Sequence, residues 1–164
     1  TVNAWCMPGG KVMFYTGILP ICEGEDGIAV VMGHEIAHAI ARHGNERMSQ
    51  GLLAQGLGVA GQIGTSGVSP DFQAVFNQSF GIGSQLGLLK FSRNNESEAD
   101  KLGLVFMTMA GYNPATAVEF WKRMAANKGN GQKPPEFMST HPSDDRRIAD
   151  ILEYLPEARN WANK

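Results

Sequence analysis

Residues 29–44 read AVVMGHEIAHAIARHG and place His34, His38 and His43 within ten positions, with Glu35 beside the first. Ile28, Val31, Met32, Ile36, Ala39 and Ile40 recur at three and four, so the spacing predicts a helix from about Gly27 to Arg42 or beyond. Acidic Glu25 and Asp26 stand at the positive end of its dipole. On such a helix His34 and His38 lie ~40° apart and one turn along, on a shared face. Two neutral imidazoles so placed can bind one Zn²⁺, and Glu35, ~100° round, reaches a water on the same metal. This is the HExxH pattern. His43 falls ~180° from His34 on a continuous helix, so the same geometry excludes it and gives it a polar contact on the far side.

A catalytic zinc needs three protein ligands and an open position, so one ligand must come from elsewhere. The segment NNESEAD carries Glu96, Glu98 and Asp100 at the start of a further helix. Glu96 and Asp100, at i and i+4, share a face, whereas Glu98 points ~200° away from Glu96. One face thus offers a carboxylate ligand and a second carboxylate one turn on; Asp100 can accept the N–H of a ligating histidine and fix its tautomer. His141, in STHPSDDRRI, has two readings. It can donate to the oxyanion formed at a scissile carbonyl, or it can fill the open coordination position and keep the site latent. Arg147, six residues on, adds a fixed positive charge or pairs with an active-site carboxylate, while Arg146 points elsewhere.

The remaining elements frame these motifs. NAWCM and KVMFYTGIL flank Pro8-Gly9-Gly10 as two strands around a tight turn. The six-glycine stretch from Gly51 to Gly67 argues against a regular helix, and residues 71–91 are more helical. Further helices are predicted from Glu96 to Ala110, stopped by Gly111; from Asn113-Pro114 onward; and from about Asp144 to Tyr154, ended by Pro156. The fold class is α+β, mainly α, in a single domain over residues 1–164. Opening on Thr1 with a strand-like sequence, the chain reads as a processed or truncated form lacking its N-terminal part. A net charge of −2, with no basic block, speaks against nucleic acid. Cys6 and Cys22 match no metal motif; they read as two half-buried thiols, or as a disulfide in an oxidising compartment.

In four ordered motifs, NAWCMPGG with its following strand, HEIAHAIARHG, ESEAD leading into KLGL, and STHPSDDRRI, the chain resembles the M48 family of zinc metallopeptidases, which includes HtpX-type, CAAX prenyl and BepA-type proteases. The resemblance covers nearly the whole chain. It implies a gluzincin arrangement, with His34, His38 and Glu96 as ligands of one Zn²⁺, Glu35 as general base and Asp100 behind a ligand. It also places His141 and Arg147 near the scissile carbonyl, in a domain whose small sheet has an edge strand beside the active-site helix. A peptide substrate is expected to add as a strand along the sequence after PGG.

The function expected is endopeptidase cleavage by metal-activated water, in quality control of envelope or misfolded proteins. The alternative is a latent metal-bound scaffold or chaperone-like module, its site closed by His141 or an upstream segment. No apolar run reaches membrane-spanning length; of the types within the family it resembles, the resemblance implies a periplasmic or otherwise extracytoplasmic one, soluble or lipid-anchored. The glycine- and leucine-rich segments at 51–67 and 80–89 read as a mobile cover, a peripheral membrane contact or an ordinary packed segment.

Overall fold

The structure, a computed structural model, describes residues 1–7, 9–64, 67, 69–70, 73–74, 92–127, 135–141 and 145–162. Strands β1 (Ala4–Met7) and β2 (Lys11–Phe14) form an antiparallel hairpin in which Ala4 faces Phe14 and Cys6 faces Val12. A 3-10 turn (Thr16–Ile18) and a single helical turn, α1 (Leu19–Cys22), lead into α2 (Glu25–Ile40), which carries the HExxH motif. Helices α3 (His43–Gly64), α4 (Arg93–Met109), α5 (Thr116–Ala126), α6 (Glu136–Thr140) and α7 (Asp145–Arg159) follow. The expected mainly helical α+β class is what the chain adopts.

The largest contact in the fold joins α2 to α4. It is close because each helix presents a glycine at the crossing. A β-carbon on Gly33 would come within 2.8 Å of the Gly103 carbonyl oxygen, and one on Gly103 within 2.9 Å of the His34 backbone nitrogen. Backbone therefore meets backbone where His34 leaves α2, and the carboxylates of α4 face the imidazoles of α2 directly. Behind the crossing, Trp121, Phe120 and Met124 of α5, Phe137 of α6 and Ile151 of α7 join Val30, Val31 and Leu104 in the buried core. Fully burying an aliphatic or aromatic side chain of this size contributes about 1.5–3 kcal/mol each. The site is thus built on the side of the core.

Several helix limits differ from the sequence expectation, each for a local reason. Helix α4 starts at Arg93, because the Ser92 hydroxyl accepts from the Asn95 backbone N–H and the Asn95 side chain accepts from the Ser92 N–H. This capping box makes Glu96 a fully helical residue. The Asn113 side chain accepts from the Ala115 N–H at 3.1 Å, and α5 begins at Thr116. Helix α7 continues through Pro156 to Arg159. Leu152 and Pro156 are both exposed, so the carbonyl left without its i+4 donor lies on the solvent side, while Leu155 and Ala158 hold the last turn to the core.

The correction at α3 is larger. Residues 51–64, read from their glycines as non-helical, are helical throughout. Leu, Ala and Gln between the glycines are good helix formers, and the first turn is tied down at Glu46, which accepts from Asn95 of α4 at 2.9 Å and from Gln50 at 2.9 Å. Met48, Leu52, Leu53, Leu57 and Ile63 along it are exposed. Most of the helix expected over 71–91 lies outside the described residues, as does the start expected for the last helix at Asp144. Cys6 and Cys22 are free thiols, so no disulfide joins them.

The α2–α4 crossing makes a direct prediction. Gly103→Ala forces backbone apart at van der Waals contact and should destabilise the protein by about 1–3 kcal/mol. Denaturant titration checks this, and an unchanged midpoint would mean that the helices are not held this close.

Candidate metal centre

Helices α2 and α4, with the end of α6, bring together four side chains named from the sequence. His34 and His38 face inward through Nε2, the two nitrogens 3.0 Å apart. From α4, Glu96 Oε1 lies 3.3 Å from His38 Nε2, and Glu96 Oε2 lies 3.5 Å from His34 Nε2. His141, at the end of α6, contributes Nδ1 at 3.1 Å from His34 Nε2 and 3.0 Å from Glu96 Oε1. One donor atom from each of these buried residues lies within 4.8 Å of every other. Tetrahedral ligands held at ~2.0–2.1 Å from one zinc stand ~3.3 Å apart, so the observed separations suit a single ion.

Each donor is fixed from behind. His34 Nδ1 donates to Asp100 Oδ1 at 2.9 Å, and Arg147 clamps the same carboxylate through Nε to Oδ2 and Nη2 to Oδ1, both 2.7 Å. Its guanidinium lies 3.4 Å from the centre of the Trp121 ring. Arg147 is buried and serves Asp100 and Glu96 from behind the donor set, whereas Arg146 is exposed. Of the two readings open for Arg147, the structure shows the pairing with site carboxylates. His141 stacks on Phe137, their centroids 4.6 Å apart, and Phe137 in turn stacks on Trp121. The roles of Trp121 and Phe137 left no mark in the sequence beyond apolarity, since they are also core residues.

His43 is not where helical continuation put it. Helix α2 stops at Ile40, Arg42 takes a left-handed conformation with φ 59°, and the chain turns back into α3. His43 is therefore buried against His38, its Nδ1 2.9 Å from His38 Nδ1, with Glu98 Oε2 3.3 Å from its other nitrogen. The expectation that Glu98 leaves the Glu96 face holds, but the place it goes to was missed. Nothing in the motif announces the turn, because Arg42 is not a residue that favours positive φ.

Glu35 opens onto the same chamber. Its Oε1 lies 3.4 Å from His141 Nε2, and its carboxylate accepts from the Cys6 backbone N–H. The strand nearest α2 is consequently β1, with β2 on its outer side. The strand after PGG, β2, is an edge of this two-stranded sheet.

The electrostatics point to a missing positive charge. Burial raises the Glu35 pKa above its ordinary 4.5, only partly opposed by His141 and His34. Burial would also raise Glu96, but hydrogen bonds from His141, His34 and His38 hold it far below the usual carboxylate range. For Asp100, burial is outweighed by Arg147 and by the bond from His34, so it too is held down. Burial disfavours charge on both His34 and His38, yet the bonds to Asp100 and Glu96 lift His34 to about 9, while burial and the neighbouring His34 hold His38 down to about 3. One proton on His34 thus stands at the centre of the donor set. A divalent cation can replace it and leave both imidazoles neutral, which is their ligand form. The buried Oε1 of Glu35 and Oε2 of Glu96 have no hydrogen-bond partner among the described residues. Arg147 Nη1 is 2.8 Å from that Glu96 oxygen but off the bonding direction. Orphaned buried oxygens of this kind call for an ion, and the donor set fits one.

Fold and site together define a mainly helical α+β metallopeptidase domain, with an HExxH helix crossed by a glutamate-bearing one. Residues 1–155 match Peptidase family M48, and the chain belongs to that family. It is 42% identical over 167 residues to mitochondrial metalloendopeptidase OMA1 of Schizosaccharomyces pombe, covering 97% of this chain and 45% of that protein. It is 31% identical to the beta-barrel assembly-enhancing protease of Yersinia pestis, covering 99% of this chain and 33% of that one. The Escherichia coli protein of the same name is 28% identical over 166 residues. The chain therefore spans less than half the length of these relatives.

Titration calorimetry with zinc should give one ion per chain. Glu96→Gln should weaken binding by more than the roughly 10–100-fold that losing an outer partner costs, and by more than Glu98→Gln, whose carboxylate lies behind His43. Equal losses in the two variants would show that the wrong carboxylate has been chosen.

Proposed function

We propose that the chain is the catalytic domain of a zinc-dependent endopeptidase. The observation that carries this reading is the convergence of His34, His38 and Glu96 on one point, with the Glu35 carboxylate in the same buried chamber. In it, His34 and His38 through Nε2 and Glu96 through its carboxylate hold the zinc, a donor set of nitrogens and oxygen that zinc accepts readily. Bound there, zinc supplies Lewis acidity, polarising a peptide carbonyl and lowering the pKa of water. Glu35 takes the water's proton and delivers it to the leaving amide nitrogen. Its raised pKa suits a group that must hold a proton and then release it. Asp100, clamped by Arg147, keeps His34 in the tautomer whose Nε2 is free to bind.

A polypeptide substrate is proposed to add as a strand along the edge of β1 that is not paired with β2. The Cys6 N–H already aims at Glu35 there, so a chain laid along that edge passes the general base. Edge pairing reads main chain, which favours unfolded or misassembled polypeptides in the manner of quality control. That the relatives include proteins named for β-barrel assembly supports this reading; the setting proposed is periplasmic or otherwise extracytoplasmic, although relatives of higher identity are named mitochondrial. No helix among the described residues is long and apolar enough to cross a membrane, and peripheral membrane attachment belongs to the same proposal.

A second reading is favoured by His141. Its Nδ1 stands at a fourth ligand distance from the other donors and its Nε2 faces Glu35, which supports a site that His141 closes. We infer that the zinc-loaded domain rests in this latent form and acts when the segment bearing His141 withdraws.

Glu35→Gln should keep zinc and lose about 10²–10⁴ in turnover on casein; proteolysis at the wild-type rate would remove Glu35 from the mechanism. His141→Ala should keep zinc and cleave casein faster than wild type. A loss of rate would instead assign His141 to the scissile carbonyl.

A further inference from the structure

Two histidines face the metal position, yet they are supported differently. His34 is backed by a buried carboxylate and its arginine. Behind His38 stands a second imidazole, His43, 97% buried and presented by the turn at Arg42 at the first residue of α3. The two rings meet edge-on at 73°, their centroids 5.0 Å apart, with Nδ1 facing Nδ1 at 2.9 Å. His43 Nε2 then meets Glu98 Oε2 at 3.3 Å.

These contacts allow one assignment of protons once a cation is held by His38 Nε2. Using that lone pair puts the His38 proton on Nδ1, where it must donate. Its acceptor is the Nδ1 lone pair of His43, which obliges His43 to carry its own proton on Nε2. That proton points at a carboxylate, which can only accept when ionised. The chain runs His38 to His43 to Glu98 with each donor facing an acceptor. We propose that His43 is a positioning residue for the metal site, holding His38 in the Nδ1–H tautomer with Nε2 aimed at the ion, and that Glu98 orients His43 in turn. This rests on the reading of His34, His38 and Glu96 as zinc ligands. It gives the turn at Arg42 a purpose, since a helix continued past Ile40 would have carried His43 to the opposite side. It also gives α3 a link to the site: its first turn carries His43 and is tied by Glu46 to Asn95, one residue before Glu96.

The test compares zinc affinity, by competition with a chromogenic chelator, in wild type, His43→Phe and His43→Asn. Phenylalanine keeps a ring and removes the acceptor, whereas the asparagine carbonyl oxygen stands at the same number of bonds from the backbone as Nδ1 and can accept in its place. His43→Phe should bind zinc about 10–100-fold more weakly, and His43→Asn should recover most of that loss. The visible bands of the cobalt-substituted protein should shift in His43→Phe and return in His43→Asn. Because His43→Phe could fail to fold, nitrogen-15 NMR of the zinc-loaded wild type reads the tautomers directly. It should show His38 protonated at Nδ1 and His43 protonated at Nε2. A wild type that binds no zinc would overturn the ligand reading and the inference with it. Tight wild-type binding with an unchanged affinity and cobalt spectrum in His43→Phe, or His43 protonated at Nδ1, would overturn the positioning role alone.

Discussion

Everything at the site depends on how closely two helices cross. Gly33 and Gly103 let the backbones of α2 and α4 touch, and His34, one residue from the first glycine, is thereby set against Asp100, three residues from the second. Because Glu96 lies one turn from Asp100 on the same face, the distance that fixes one contact fixes the other. A methyl group at the crossing would push the carboxylates away from the imidazoles together. Sequence motifs supply the donors, but this contact makes them a site.

The second constraint is charge. The carboxylates of Glu35, Glu96 and Asp100 and the imidazoles of His34, His38 and His141 are buried together against an aromatic wall, which is costly unless each charge is balanced. Arg147 balances Asp100 and reaches toward Glu96. Glu35 and Glu96 still expose buried oxygens without hydrogen bonds among the described residues. The protein has therefore arranged an excess of acceptors around a space that suits a divalent ion, and that arrangement is what sets this cluster apart from a structural ion-pair network. His141 adds a donor of its own, so the same geometry that completes a coordination shell also shuts it.

Local periodicity made half of this readable. His34, Glu35 and His38 lie within one helix, as do Glu96 and Asp100, so turning ~100° per residue was enough to place each group on its face. The limits of α4 and α7 were set by features that periodicity ignores. Ser92 and Asn95 form a cap that could have been read, whereas Pro156 stays helical because its lost hydrogen bond faces water. The glycines at 51–64 misled in the same way, since per-residue propensity is a weak prior beside good helix formers and an anchored first turn. His43 was displaced by a single left-handed residue, Arg42, which no pattern announces. The pairing of Arg147 with Asp100 and the aromatic support from Trp121 and Phe137 join elements far apart in the chain, and only the packed core shows them.

The central claim is that His34, His38 and Glu96 hold one zinc ion, with His141 completing the shell in the resting protein. X-ray absorption at the zinc edge of the metal-loaded protein tests it most directly. The account predicts a four-coordinate shell of nitrogen and oxygen at ~2.0–2.1 Å, with outer scattering from three imidazoles. A sulfur neighbour, or a shell of oxygens with fewer than two imidazoles, would contradict it.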